Sequence, residues 1–416
     1  MEHQKRKTRI VLGITGSIAA YKSVELARYL MARGCEVRVI MTDSASKFIT
    51  PFLMESITGY PVTQSFWTEN QAGAIGHIEL ADWADALLIA PASADVIAKL
   101  RYGFAETPLL AVALATKSPI VLAPAMNVNM YENAATQENV TALRDRGLHI
   151  VEPEAGMLAC GWIGRGRLAH QREIFAQVRR ALSTQDLAGQ RVLITAGPTR
   201  EALDPVRFIS NRSSGKMGIA LAREAYRRGA RVTLVCGPLG RVPQLPRDVE
   251  CVSVTSADEM YDAVMTHSRS GQIDIAVLAA AVADFRPSVV AAGKIKKASG
   301  PDAIAVTPNR DILRMLGESR ENGHKPMLIG FAVETGEIQD LLAEATRKLN
   351  AKNADMIVGN LAVDSFDKDT NRVWIVSRDG SHEAVSTSTK GRIARRIFNA
   401  IVSHQVSACL HEPVQH

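Results

Sequence analysis

Apolar positions in the 416-residue chain fall into two alternating kinds of run. In one kind, short stretches are apolar or small at consecutive positions; in the other, apolar residues recur every three or four. "RIVLGITG" leads into a segment with Tyr21, Val24, Ala27 and Met31 at helical spacing that stops before Gly34. "EVRVIMT", "DALLIAPAS", "PIVLAPAMN" and "LHIVEP" follow in turn. A run that is apolar at successive positions must be covered on both faces, so these runs predict a parallel sheet with helices in the crossovers. The same rhythm restarts after "STQDLAGQ" with "RVLITAG", "RVTLVCG", "DIAVLAAAVAD", "PMLIGFAVE" and "DMIVGN", and a helix is expected over 337–350. Ser, Thr, Gln, Asp and Gly interrupt the apolar pattern at 183–190, which marks a boundary. The pattern predicts an α/β chain of two doubly wound domains, 1–188 and 189–403, with a loose tail at 404–416.

Composition narrows the classes. The five cysteines (35, 160, 236, 251 and 409) have spacings that match neither a zinc site nor a disulfide framework, so free thiols in a reducing, cytoplasmic setting are expected. The opening "KRKTRIVLGITGSIAAYK" has the look of a signal peptide. Its apolar run breaks at Gly13 and Gly16 and continues into an amphipathic helix, so it is expected to belong to the fold. No run reaches the roughly 18 unbroken apolar residues of a membrane span. A net charge of +6 suits nucleic acid or small anions. With aromatics at 5% and no nucleic-acid-binding motif, small anionic substrates are the expected partners, with no nucleic acid and no membrane.

In doubly wound sheets, ligands bind in the turns beyond the carboxyl ends of the strands. Thr15, Gly16 and Ser17 lie in such a turn, read either as a phosphate site or as a plain tight turn. Ser93 in "APASADVIAKL" is a second possible donor. Asn127 in "PAMNVNMY" is a carboxylate ligand or a turn cap. His77 in "GHIEL" is a surface histidine or a catalyst. Cys160 lies in the Gly-rich loop "LACGWIGRGRLAH", where Arg165 and Arg167 would favour its thiolate. "ISNRSSGKMG" fails the P-loop template at Ser210 and Met217, and is read as a helix cap or a different phosphate holder. Asp284 is a cap or a nucleotide contact; "KIKK", 294–297, is a solvated charge run or a mobile lid. Lys348 and Lys352, four apart, share a helix face.

Gly-x-Thr-Gly-Ser, His77, Pro-Ala-Ser-Ala, Pro-Ala-Met-Asn-x-x-Met and Ala-Cys-Gly-x-x-Gly-x-Gly-Arg, in that order, resemble the flavin-dependent cysteine decarboxylases. "ITAGPTREALDPVRFISNRSSGKMG", "AAAVADFRP" and "KIKK" resemble the phosphopantothenate–cysteine ligases. Over about residues 8–403 the chain is similar to the bacterial bifunctional family in which the two are fused. The resemblance implies a flavodoxin-like flavoprotein domain followed by a Rossmann-like ligase domain. It also implies FMN near Thr15, Gly16, Ser17, Thr42, Ser93, Ala94, Asp95 and Ala125. The chemical need for a flavin is plain: a cysteinyl carboxylate has no carbonyl beta to it, and oxidising the thiol to a thioaldehyde creates the electron sink that lets CO2 leave. His77 is implied in thiol deprotonation, Asn127 in holding the carboxylate, Cys160 in protonating the ene-thiol product, and Met126, Arg165 and Arg167 in substrate contact.

For the second half the resemblance implies activation of 4'-phosphopantothenate by CTP to an acyl-cytidylate, which cysteine then attacks. Asn211 and Arg207 would hold the acyl group and the phosphate, and Lys294 the triphosphate. Ala279, Ala280, Asn309, Asp311, Ile312, Phe331, Lys348 and Lys352 would line the nucleotide, and Asp284 would contact it or a Mg2+ ion. Rings of trimers for the first half and dimers for the second imply a homo-oligomer. Three departures stand out: Asp95 where the family usually has Asn, Trp162 where it usually has Asp, and a Phe331-to-Lys348 spacing about three residues longer. Rival functions are decarboxylation of a peptide's C-terminal cysteine, flavin prenylation, a nucleic-acid binder and a regulatory flavoprotein without turnover.

Overall fold

A computed structural model describes residues 6–67, 76–158, 161–240, 244–269, 273–296, 303–320, 325–365 and 368–411. The chain divides into two compact units, Met1–Thr184 and Gln185–His416.

In the first unit, β1 (Thr8–Ile14), β2 (Cys35–Met41), β3 (Ala86–Ala92), β4 (Ile120–Pro124) and β5 (His149–Ile150) form one parallel sheet in the order β2-β1-β3-β4-β5. This is the flavodoxin-like order, whose switch point lies between β1 and β3. Ile10, Leu12 and Ile14 pack on one face with Leu26, Leu30, Ile174 and Val178; Val11, Leu87 and Ile89 pack on the other with Leu109, Val140 and Leu143. Both faces are buried, which is why the strands read as continuous apolar runs. Each such side chain contributes roughly 1.5–3 kcal/mol by its burial. Thr42, Ser93, Thr107 and Asn133 accept a first-turn N–H at helix starts, and left-handed Gly59 and Gly103 end two of the helices. After β5, an antiparallel hairpin of β6 (Glu154–Met157) and β7 (Ile163–Arg167) precedes the helix Gln171–Ala181.

The second unit starts with β8 (Arg191–Ala196), a small hairpin of β9 (Arg200–Ala202) and β10 (Phe208–Ser210), then β11 (Arg231–Cys236) and β12 (Glu250–Ser253). It continues with β13 (Ile275–Leu278), a second small hairpin of β14 (Phe285–Pro287) and β15 (Val306–Pro308), β16 (Met327–Glu334) and β17 (Met356–Leu361). It ends with β18 (Thr370–Ser377) and β19 (His382–Thr389). The main sheet runs β12-β11-β8-β13-β16-β17-β18-β19, parallel as far as β17 and antiparallel beyond. Its first six strands follow the Rossmann order, with the switch point between β8 and β13.

Two features depart from the sequence pattern, the β18–β19 pair and the tail. β18 and β19 were not expected. On β19 only Val385 is buried and, apart from Ala384, the other residues are exposed or half-buried and polar, so the edge strand lacks a two-sided apolar signature. The expected loose tail is helical as far as residue 411, because the helix Lys390–His411 buries Ile393, Ala394, Ile397, Phe398 and Ile401 at helical spacing. It is also tied by Gln405 to the side chain of Gln190 at 3.2 Å. The helix expected over 337–350 spans Ile338–Ala351, with Glu337 and Asp340 capping each other's backbone N–H. Among the described residues no helix is long and apolar enough to cross a membrane.

Candidate active sites

The carboxyl ends of β1, β3 and β4 are drawn together by specific bonds. Thr15 is fully buried; its hydroxyl donates to the Pro91 carbonyl at 2.8 Å and accepts the Ser93 N–H at 2.9 Å. Its hydroxyl is therefore a tie between two turns, with its donor and an acceptor site both in use. Ser17 donates to the Ala125 carbonyl at 3.1 Å, and the Ala125 N–H donates to the Ala92 carbonyl. A Cβ on Gly16 would come within 2.5 Å of the Ser44 Cβ, so only glycine lets this turn lie against the helix Asp43–Ser46, which Thr42 caps. Ser93 caps the helix Ala94–Tyr102. The first-turn N–H groups of Ala94 and Asp95 lack intrahelical partners by geometry and sit at the switch point, an arrangement suited to an anion. Asp95 itself pairs with Lys99 at 3.2 Å, and Lys99 with Glu106 at 2.6 Å.

Asn127 starts the helix Val128–Glu132, its side-chain oxygen accepting the Asn129 N–H at 2.8 Å. The β6–β7 hairpin lies directly on this turn: the Met126 N–H donates to the Gly166 carbonyl at 3.0 Å. A Cβ on Gly166 would fall 2.2 Å from the Met126 carbonyl oxygen, and one on Gly164 2.4 Å from the Val128 side chain. The "GRGR" glycines are what allow the hairpin to approach. Arg165 is exposed, Arg167 packs over Gly156, and Trp162 is 55% exposed near the hairpin's turn. Cys160 lies outside the described residues. His77 stands near the start of the helix Gly76–Trp83 and meets the ring of Phe66 edge-on at 5.3 Å. Phe66 carried no sequence signal, since nothing in its neighbourhood sets it apart from a core aromatic.

In the second unit, the loop after β13 is fastened to the turn after β8. Thr195 accepts the Ala280 N–H at 3.1 Å, Gly197 the Ala281 N–H at 2.9 Å, and the buried Thr199 the Ala283 N–H at 3.0 Å. Asn211 joins them by donating its amide to the Val282 carbonyl at 2.9 Å. Asn211 and the half-buried Ala279 and Ala280 thus share one backbone cradle. Next to Asn211, Gly215 takes φ +68° to start the helix Lys216–Arg227, and Gly218 touches Ala196 of β8. Lys216 pairs with Asp369 at 2.5 Å.

Asp284 is exposed, and its carbonyl accepts the Asn309 N–H at 2.8 Å. Asn309 returns its amide to the Ala283 carbonyl and is held by Arg286 at 2.9 Å. Asp311 caps the helix Ile312–Glu318 and pairs with Lys352 at 2.9 Å. Lys348 pairs with Glu334 of β16, the strand that carries Phe331, at 3.5 Å and with Glu344 at 3.4 Å. The two lysines therefore sit among carboxylates and do not form an open basic face.

Arg207 is engaged as well. Its Nε and Nη2 bind Asp204 at 3.0 and 2.6 Å, and Nη2 also reaches the Ile295 carbonyl at 2.6 Å. Nη1 makes none of these bonds and is the edge on offer to an anion. The guanidinium and the surrounding backbone N–H groups hold the Asp204 carboxyl well below the usual carboxylate range. A carboxyl depressed in the folded state stabilises it above about pH 4 and loses that contribution only as pH falls towards the folded value. Lys294, exposed beside Ile295, forms no ion pair among the described residues. No group of His, Cys, Asp and Glu able to hold a metal by itself occurs among them.

Residues 1–183 match the family described as "Flavoprotein", and residues 187–405 that described as "DNA/pantothenate metabolism flavoprotein C-terminal domain". The chain is 45% identical over 396 residues to the coenzyme A biosynthesis bifunctional protein CoaBC of Haemophilus influenzae, covering 94% of this chain and 96% of that one. It is 40% identical over 415 residues to the protein of the same name from Mycobacterium tuberculosis, covering 97% and 98%. Among solved structures, the C-terminal domain of a coenzyme A biosynthesis bifunctional protein CoaBC is 41% identical, with a TM-score of 0.45, covering 54% of this chain and all of that one.

Proposed function

The chain belongs to the coenzyme A biosynthesis bifunctional protein family, and from that premise we propose that its two units catalyse consecutive steps. The C-terminal unit, 189–403, joins 4'-phosphopantothenate to cysteine through an acyl-cytidylate made from CTP. The N-terminal unit, 1–188, decarboxylates the product to 4'-phosphopantetheine with FMN. The observation that carries this reading is the pairing of a β2-β1-β3-β4-β5 sheet with a Rossmann-ordered one, each with its motif turns gathered at its own switch point.

The residues around β1, β3 and β4 suit a flavin mononucleotide. The start of the helix Ala94–Tyr102 offers N–H groups to a phosphate, and Gly16, Ala94 and Ala125 present little bulk to a flat ring. FMN held there would supply a two-electron oxidant for the substrate thiol. His77 takes the thiol proton, Asn127 holds the carboxylate while it departs, and Cys160 delivers a proton to the ene-thiol. The β6–β7 hairpin, with Trp162, Arg165 and Arg167, covers the substrate.

In the C-terminal unit Asn211 holds the activated acyl group, its amide already oriented by Val282. Arg207 and Lys294 neutralise phosphate charge that grows as pyrophosphate leaves. Asn309, Asp311, Ile312, Phe331, Lys348 and Lys352 frame the nucleotide. Asp284, an exposed carboxylate, suits Mg2+, which keeps several waters and takes one or two carboxylates together with substrate phosphates. Exposed Phe48, Phe52 and Leu53 on the first unit favour assembly with further copies, so we infer a homo-oligomer. Cys35, Cys236 and Cys251 are free, in keeping with a cytoplasmic enzyme.

Purified protein should be yellow and release FMN on denaturation. Pyrophosphate release should require 4'-phosphopantothenate and should be faster with CTP than with ATP. A colourless protein, inactive with every nucleoside triphosphate, refutes the reading.

Gly166→Ala is expected to lift the hairpin off the Met126 turn, because the new Cβ meets the carbonyl oxygen of Met126, the residue whose N–H pairs with the Gly166 carbonyl, and φ here is +152°. CO2 release from supplied phosphopantothenoylcysteine should fall at least roughly tenfold, as expected for a displaced substrate-positioning element. Pyrophosphate release should be unchanged. Steady-state assay of both products checks this.

A further inference from the structure

Resting on the ligase reading above, we propose that Asp204 is a positioning residue for nucleotide activation: it latches the loop that carries Lys294 onto the β9–β10 hairpin. The side chain of Asp204 has no exposed surface, yet it lies in a turn between two short strands, where an aspartate is normally solvated. Its two oxygens divide the work. Oδ1 accepts the N–H groups of Val206 and Arg207, both at 2.8 Å, and so builds the turn. Oδ2 accepts Nε and Nη2 of Arg207 at 3.0 and 2.6 Å and the N–H of Ile295 at 3.1 Å. Arg207 completes the latch by donating Nη2 to the Ile295 carbonyl at 2.6 Å.

Both polar groups of one peptide residue, Ile295, are thereby held by an Asp–Arg pair far away in sequence. A second tie, from the Ala291 N–H to the Leu203 carbonyl at 3.0 Å, fixes the other end of the segment. Between these ties Ala292, Gly293 and Lys294 are exposed and belong to no helix or strand. Such a segment has only its anchors to set where Lys294 points. Asp204 itself faces Arg207 and backbone, so its effect on catalysis passes through other groups; the latch assigns that effect to the position of Lys294 and not to the free edge of Arg207, and the double variant decides between the two. The turn alone needs only Oδ1. The Oδ2 half of the network is accounted for by the loop.

Asp204→Asn separates the two roles, since an amide keeps one oxygen for the turn but turns N–H groups towards Arg207 and the Ile295 N–H. In the full chain assayed with 4'-phosphopantothenate, cysteine and CTP, this variant should release pyrophosphate roughly 10- to 100-fold more slowly, the scale of a misplaced catalytic group. CO2 release from supplied phosphopantothenoylcysteine should be unaltered. The discriminating readout is the double variant: in a Lys294→Ala background, Asp204→Asn should add less than about a twofold further loss, because residues acting through one another are not additive.

Should Asp204→Asn fail to fold, Asp204→Glu replaces it. A glutamate keeps the charge and both acceptor oxygens, but its extra methylene shifts them so that the turn N–H groups and the Ile295 N–H are not held at once, and the same non-additivity with Lys294→Ala is expected. Losses that multiply in the double variant, or an Asp204→Asn protein with full ligase rate, overturn the latch. A wild-type protein that makes no pyrophosphate overturns the ligase reading and the latch with it, whereas an active wild type with multiplying losses overturns the latch alone.

Discussion

His77→Asn should slow CO2 release from phosphopantothenoylcysteine by roughly 10²- to 10⁴-fold, the contribution expected of a positioned general base, while pyrophosphate release continues at the wild-type rate. Imidazole is the side chain most often used as a positioned general base. It is placed by the helix Gly76–Trp83 and by the edge of Phe66. Asn keeps a polar group of similar reach, so the loss should appear in the chemical step with the melting temperature unchanged. Thermal unfolding and single-turnover CO2 release separate the two cases. A variant that decarboxylates normally removes the catalytic role of His77.

Lys294→Ala should produce the mirror image: pyrophosphate release lowered by roughly 10²- to 10³-fold, as when one preorganised donor to developing charge is removed, with CO2 release from supplied intermediate intact. Lys294 is exposed and without an ion partner among the described residues, whereas Lys216, Lys348 and Lys352 are each engaged with a carboxylate. Of these four, it is the lysine that gains most from a triphosphate and loses nothing to reach it. The deficit should lie mainly in kcat, and raising CTP should not restore it. Full recovery at high CTP would reassign Lys294 to ground-state binding.

The strands of both parallel sheets were legible because a strand buried on two faces has to be apolar at successive positions, as Ile10 to Ile14 and Val192 to Ile194 are. β19 was not, because an edge strand with one buried residue looks like any polar segment. Gly164, Gly166 and Asn211 could be singled out from motif and spacing. What they touch could not, since Met126, Val128 and Val282 are brought in by the fold. Thr15 was legible in part for a related reason: its position in a candidate phosphate turn is visible in sequence, but the inward direction of its hydroxyl towards Pro91 is not. Asp204 falls inside a motif, but its role could not be read there, because the group it holds at Ile295 arrives from another connection of the sheet.

The central claim is that one chain both makes the cysteine amide and removes its carboxylate. Full-length protein given 4'-phosphopantothenate, carboxyl-labelled cysteine and CTP, with no added intermediate, should release pyrophosphate and labelled CO2 in equal amounts once steady state is reached. Pyrophosphate accumulating without labelled CO2, or neither product appearing, would contradict it.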